Sequence, residues 1–179
     1  MAESVTRVIH RCNDAKESEN LDLSNCQLIQ VPDAVYHLMR HTKLKSCDFS
    51  DNVITKILPE FPIKFNSITN LNLSHNQITK LPRECAELNN LEILDISYNS
   101  FMSLPHCLFK MPKLRSLKAN DNYIMDIEVN DLTETPALEC IDLERNPLAR
   151  HIHDQLSRIT KLVIVLSPQQ TEDWEDLTI

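Results

Sequence analysis

Ser74, His75 and Asp95 are the residue types of a nucleophile, a base and an orienting acid. The repeat described below places them within one or two strands of each other. Such a triad needs a continuous line of hydrogen bonds and a set of oxyanion donors. Neighbouring side chains on a strand diverge, and the chain has no glycine from which to build a donor loop. The grouping therefore reads as incidental. His151, His153 and Asp154 are metal-ligand types lying close together. On a helix the two histidines diverge by about 200°, whereas on a strand they share a face. No third fixed ligand is in view, so surface or cap histidines are expected and no metal. The six cysteines (Cys12, Cys26, Cys47, Cys85, Cys107, Cys140) are scattered, with neither a disulfide framework nor a zinc pattern.

The totals narrow the field further. The 179 residues are 42% apolar and 25% charged, as in an ordinary globular chain with one core. Glycine is absent, where about 12 would be usual. A P-loop and a dinucleotide fingerprint both require it, so neither is present and no cofactor is expected. The net charge of −8 disfavours nucleic acid as the main ligand and suits a basic protein partner. The longest apolar run, Leu162 to Leu166, is far too short to span a membrane. No secretory signal is visible at the N-terminus, so the expected setting is the cytoplasm, with the nucleus open, and reduced thiols.

The elements that must position any site come from a repeat. LNLSHNQITKLP at Leu71 to Pro82 returns as LDISYNSFMSLP at Leu94 to Pro105. With Ile68 as position 1, units start at 18, 44, 68, 91, 114 and 138. Positions 4 and 6 are apolar and alternate with polar neighbours, the period-two pattern of a strand with one buried face. Position 9 is Asn52, Asn76, Asn99, Asn122 and Asn146, with Cys26 in the first unit. Asparagine tolerates unusual backbone where the chain turns off the strand, and its amide can bond neighbouring turns, so these residues are structural. The second half of each unit, such as Pro82 to Asn90, reads as a short helix or 3₁₀ turn with proline near its start.

The spacing L-x-x-L-x-L-x-x-N/C-x-L resembles the leucine-rich-repeat family, from about Ser18 to Val165. That resemblance implies an α/β solenoid, a right-handed superhelix with a parallel concave sheet and short helices or 3₁₀ turns outside. It implies no catalytic activity. Solenoid ends need caps. Val5, Val8, Ile9 and Cys12 follow helical spacing and predict a capping helix over 1–17. Six repeats then occupy 18–161. A cap strand within Leu162–Leu166 and an acidic tail occupy 162–179, with a helix start at Ser167 to Gln170 and Trp174 folded back on the cap or free to dock. The whole is one domain. Arg7, His10, Arg11 and Lys16 are expected on the solvated face of the first helix.

Positions 3, 5, 7 and 8 are expected to project from the concave side. Their candidate partner-binding residues are Asp22, Asp48, Asp51, Asn72, His75, Asp95, Tyr98, Lys118, Asp121, Asp142 and Arg145. Asp22 and Asp48 fall on adjacent strands about 5 Å apart, where two charges repel by under ~1 kcal/mol in water. A basic partner would relieve that repulsion. Seven strands of about four residues give a patch near ~400 Å², half the ~800 Å² of a standard interface side. The sequence therefore reads as a monomeric, non-catalytic module for protein binding. The second reading is a targeting subunit of an enzyme complex such as a phosphatase, a ubiquitin ligase or a small GTPase system.

Overall fold

The computed structural model describes residues 2–169, with side chains from Val5 onward. The expected helix start reaching Gln170 and the position of Trp174 lie outside the described residues. Seven strands of three residues each form one parallel sheet in chain order. They are β1 (Asn20–Asp22), β2 (Ser46–Asp48), β3 (Asn70–Asn72), β4 (Ile93–Asp95), β5 (Ser116–Lys118), β6 (Cys140–Asp142) and β7 (Val163–Val165). The register is uniform: Leu21, Cys47, Leu71, Leu94, Leu117, Ile141 and Ile164 lie side by side. The first six, all at position 4, are at most 3% exposed. The apolar spine predicted from the alternation is thus continuous. The strands are shorter than the four residues expected, so the concave patch is narrower.

In the first five repeats the connecting segments vary with unit length. Repeats starting at 68 and 91 are 23 residues long and cross the convex side in 3₁₀ turns, Arg83–Glu87 and Leu108–Lys110. The longer units starting at 18, 44 and 114 use α2 (Asp33–Leu38), α3 (Glu60–Lys64) and α4 (Val129–Glu134). A 3₁₀ turn rises about 2.0 Å per residue and an α-helix about 1.5 Å, so an α-helix needs more residues to cross the same span. Proline is the N-cap residue of three of these five segments, Pro32, Pro59 and Pro82, and Pro62 lies inside the first turn of α3; Glu128 and Cys107 take the N-cap place in the other two. After the sixth strand α5 (Arg150–Leu156) leads to β7. An aromatic chain fills the second repeat: Phe49, Phe61, Phe65 and Tyr36 follow one another at centroid distances of 5.6, 5.3 and 5.6 Å.

At the N-terminal end α1 (Ala2–Ser18) packs against β1 and α2. Its buried stripe is Val8, Cys12 and Ala15, while Val5 and Ile9 are exposed. The expected face was too wide, because the helix meets the sheet edge along a single line. Two of its basic residues are not solvated decoration. Arg11 is half-buried and donates to the carbonyls of Asp22 and Ser24 and to Asp22 Oδ1. Arg7 donates to the carbonyl of Asn25.

Candidate protein-binding face

The asparagines of position 9 form a ladder through the interior. Asn99 Nδ2 donates to the carbonyls of Leu73, Ile96 and Ser97, while its Oδ1 accepts from Ile78 N–H. Each interior position-6 carbonyl serves two asparagine amides. Leu73 O also accepts from Asn76, and Ile96 O also accepts from Asn122. The ladder fixes the spacing of the repeats without using a side chain of the concave surface. The unusual backbone, however, sits one residue earlier than the sequence suggested. Position 8 carries the left-handed conformation in every repeat: Asn25, Asp51, His75, Tyr98, Asp121 and Arg145 have φ between 50° and 55°. The amide of the next residue must turn inward to join the ladder, and the reversal at position 8 aims it there. For residues other than glycine this conformation carries strain of ~1 kcal/mol or more. The position-8 side chain is thereby directed outward.

Position 5 is the second row, running Asp22, Asp48, Asn72, Asp95, Lys118, Asp142 across paired strands. Much of its polarity is turned inward. Asp48 Oδ1 accepts both the N–H and the hydroxyl of Ser50, at 2.8 and 2.6 Å. Asp95 does the same for Ser97, and Asp22 for Ser24. Asn72 and Asp142 cap the N–H of Ser74 and Glu144. Ser50, Ser74 and Ser97 are consequently buried, not free on the concave side as position 7 was expected to be. The repeated D-x-S is a local clasp that closes the end of each strand.

The repulsion expected between Asp22 and Asp48 is met from within the chain. Arg11 lies 3.2 Å from Asp22, and Asn72 Nδ2 donates to Asp48 Oδ2 at 3.0 Å. Burial on its own would raise the Asp22 pKa. The Ser24 hydroxyl and N–H, with the Arg11 charge, outweigh it and hold the carboxyl below the usual range. Lys118 lies 3.5 Å from Asp95. That leaves Asp48, Asp51 and Asp142 as the candidate carboxylates without an ion pair among the described residues.

The position-8 row holds the most defined surface. His75 stacks on Tyr98 with ring centroids 4.0 Å apart and planes 11° from parallel. Arg145 grips Asp121 with two bonds of 2.6 Å and reaches Tyr98 Oη at 3.3 Å. The hydrogen bonds from Arg145 hold the Asp121 carboxyl below the ordinary range, and Asp121 in turn raises Arg145. His75, Tyr98, Asp121 and Arg145, from four successive repeats, are thus brought into one connected cluster. Exposed Tyr123, Met102 and Met125 stand on the same two repeats as Tyr98 and Asp121.

The chemical candidates are placed elsewhere. His75 is stacked on Tyr98, Asp95 is shared by Ser97 and Lys118, and Ser74 is buried. Among the described residues no hydrogen bond joins the side chains of Ser74, His75 and Asp95. His151 and His153 lie on α5, where they diverge. His153 bonds the carbonyl of Ser167 and the side chain of Gln169, tying the helix to the segment after β7. No group of three or more His, Cys, Asp or Glu among the described residues is placed to hold a metal. The six cysteines are all thiols.

Sequence reasoning missed the apolar end of this face. Ile93, Val163 and Val165 are exposed. Register puts Val163 beside Cys140 and Val165 beside Asp142, at positions 3 and 5 of a seventh strand. The signal was available: a unit starting at 161 stands 23 residues after the one at 138.

A uniform parallel sheet, one asparagine ladder and a polar concave surface define a leucine-rich-repeat protein. A leucine-rich-repeat family model matches residues 66–124. Over 175 residues the chain is 31% identical to the mouse leucine-rich repeat-containing protein 20, covering 96% of this chain and 95% of that protein. The chain belongs to the leucine-rich-repeat family. The human leucine-rich repeat-containing protein 20 is 30% identical over 96 residues, 51% of this chain and 52% of the relative. Among solved structures, a leucine-rich-repeat protein of Leptospira interrogans is 27% identical with a TM-score of 0.66, over 77% of this chain and 34% of that one. An internalin of Listeria monocytogenes (22%, TM-score 0.63) and TLR13 in complex with a single-stranded RNA (20%, TM-score 0.69) share the fold. Each covers 83% of this chain, which spans 43% of the internalin and 21% of TLR13.

Proposed function

We propose that this chain is a protein-binding module that receives a partner on its concave face and the adjoining position-8 rim. The observation that carries the reading is the His75–Tyr98 stack, held beside the Arg145–Asp121 pair on strained, outward-pointing backbone. An exposed aromatic fixed before binding loses little side-chain entropy on contact, and tyrosine and arginine are enriched at binding hot spots. The carboxylates of Asp48, Asp51 and Asp142 without an ion pair favour a partner that brings basic residues. Val163 and Val165 extend the surface with apolar area at its C-terminal end.

The test is capture from cells with the intact protein, beside Tyr98→Ala and an Asp48→Lys/Asp142→Lys pair. Tyr98→Ala is expected to lose the bound protein while keeping its melting temperature. The charge reversals are expected to weaken capture and flatten its salt dependence. Undiminished capture by all the variants removes the concave reading. Mass spectrometry of the captured material distinguishes a free adaptor from a subunit of an enzyme complex.

A further inference from the structure

On the convex side, the 3₁₀ turn Leu108–Lys110 and α4 do not close against each other. Between them lies a cleft of about 410 Å³ that shares His106 and Phe109 with a smaller one of about 180 Å³. The apolar base is shared between the two: buried Leu104 and Ile127 line the smaller cleft, and half-buried Phe109 lines both. His106 meets Phe109 edge to face at 6.2 Å and makes an aromatic corner. Asp131 and Glu134 are three residues apart on α4, so they share a helix face, and both line the cleft. Asp126 and Glu128 line the smaller, adjoining cleft. All four carboxylates are exposed and none has an ion pair among the described residues, while Lys110 is the one ammonium in the lining.

We propose that this cleft is a docking site for an arginine side chain of a protein partner. The floor and the charge argue for the same occupant. An apolar, aromatic base takes the methylene stem and the flat face of a guanidinium, and the carboxylates at the rim accept its N–H groups in pairs. A lysine meets the charge but neither stacks nor forms the fork. A carboxylate or phosphate ligand is repelled by the four acids. The site lies on the opposite side of the repeats from the sheet and shares no residue with the concave face. Its success or failure is therefore separate from the function proposed above.

The experiment is a nuclear magnetic resonance titration of the intact protein with a short oligo-arginine peptide, its oligo-lysine counterpart and an oligo-glutamate control. The arginine peptide is expected to shift the Phe109 ring signals together with the Asp131 and Glu134 amides. It should bind more tightly than the lysine peptide and lose affinity as salt rises. In Asp131→Asn/Glu134→Gln the arginine affinity is expected to fall about tenfold. Both sites are exposed, and an otherwise unchanged spectrum shows that the variant is folded. Phe109→Leu keeps the apolar volume and removes the ring face, and is expected to erase the preference for arginine over lysine. Equal binding of the two basic peptides by the intact protein overturns the assignment. So do shifts confined to Asp48, Asp51 and Asp142, or undiminished affinity in the carboxamide variant.

Discussion

Replacing Asn99 by alanine isolates what the ladder contributes. The side chain is 5% exposed and makes four bonds of 2.9 to 3.2 Å. Three of the four partners keep a second bond after truncation. Leu73 O retains Asn76, Ile96 O retains Asn122, and Ser97 O retains the N–H of His75. Ile78 N–H, in a fully buried residue, is left with no acceptor. An orphaned buried donor costs about 1–3 kcal/mol, and each lost bond whose partner stays satisfied costs about 0.5 kcal/mol. The sum is about 3 kcal/mol, or a fall in melting temperature of roughly 6–12 °C for a chain of this size. Ile124 is as buried as Ile78, but Asn146 is half-buried at the C-terminal end, so water can enter where its side chain is removed and satisfy the Ile124 N–H; its alanine variant should lose about half as much. Asn99→Asp keeps the acceptor for Ile78 but turns oxygen toward three carbonyls, so it should be worse than alanine. Urea unfolding followed by circular dichroism gives the ordering, and hydrogen exchange at Ile78 gives the local effect. A loss below about 1 kcal/mol for Asn99→Ala, or rescue by aspartate, refutes the account.

Tyr36 has a buried hydroxyl with no hydrogen-bond partner among the described residues, and burial, with Glu60 and Asp33 nearby, pushes its pKa up to about 12. Tyr36→Phe keeps the stack on Phe65 and should stabilise the protein by about 1 kcal/mol; a lower melting temperature contradicts this. Asp51 is exposed with φ of 55°, so Asp51→Val should cost about 1–2 kcal/mol while Asp51→Gly stays near neutral; equal effects of the two show that strain is not the cause. Because Asp121 is held below its ordinary pKa, its pair with Arg145 stabilises the fold above about pH 4 and fades as pH falls through the lowered value. The melting curves of the intact protein and Arg145→Ala, taken across pH, should therefore differ near neutrality and converge in acid; a gap that is constant with pH removes the pair as its source.

The spine and the repeat boundaries were legible because they depend on local periodicity. Leu71 and Leu73 alternate with Asn70, Asn72 and Ser74, and that pattern alone puts the leucines on one face. The asparagines were read as structural because the type tolerates unusual backbone and its amide can bond the main chain of neighbouring turns. Their left-handed neighbours were not: Asn25, Asp51, His75 and Asp121 are types enriched at positive φ, but Tyr98 and Arg145 in the same row are not, so the row shows no single residue type. The caps were legible as elements but not in detail: Val5 and Ile9 fit the helical stripe of α1, yet only Val8, Cys12 and Ala15 reach the sheet edge.

The site divides along the same line. The period of two alone placed position 5 opposite the buried positions 4 and 6, whereas position 8 has the parity of the buried face and is turned outward by its left-handed backbone. Which carboxylates remain free was decided by tertiary structure. Arg11 crosses from α1 to Asp22, Lys118 reaches back one strand to Asp95, and Arg145 reaches back one repeat to Asp121. Those pairings join residues 11, 23 and 24 positions apart. Their formation depends on the spacing of stacked repeats and the reach of flexible side chains, neither of which a residue's own neighbours specify.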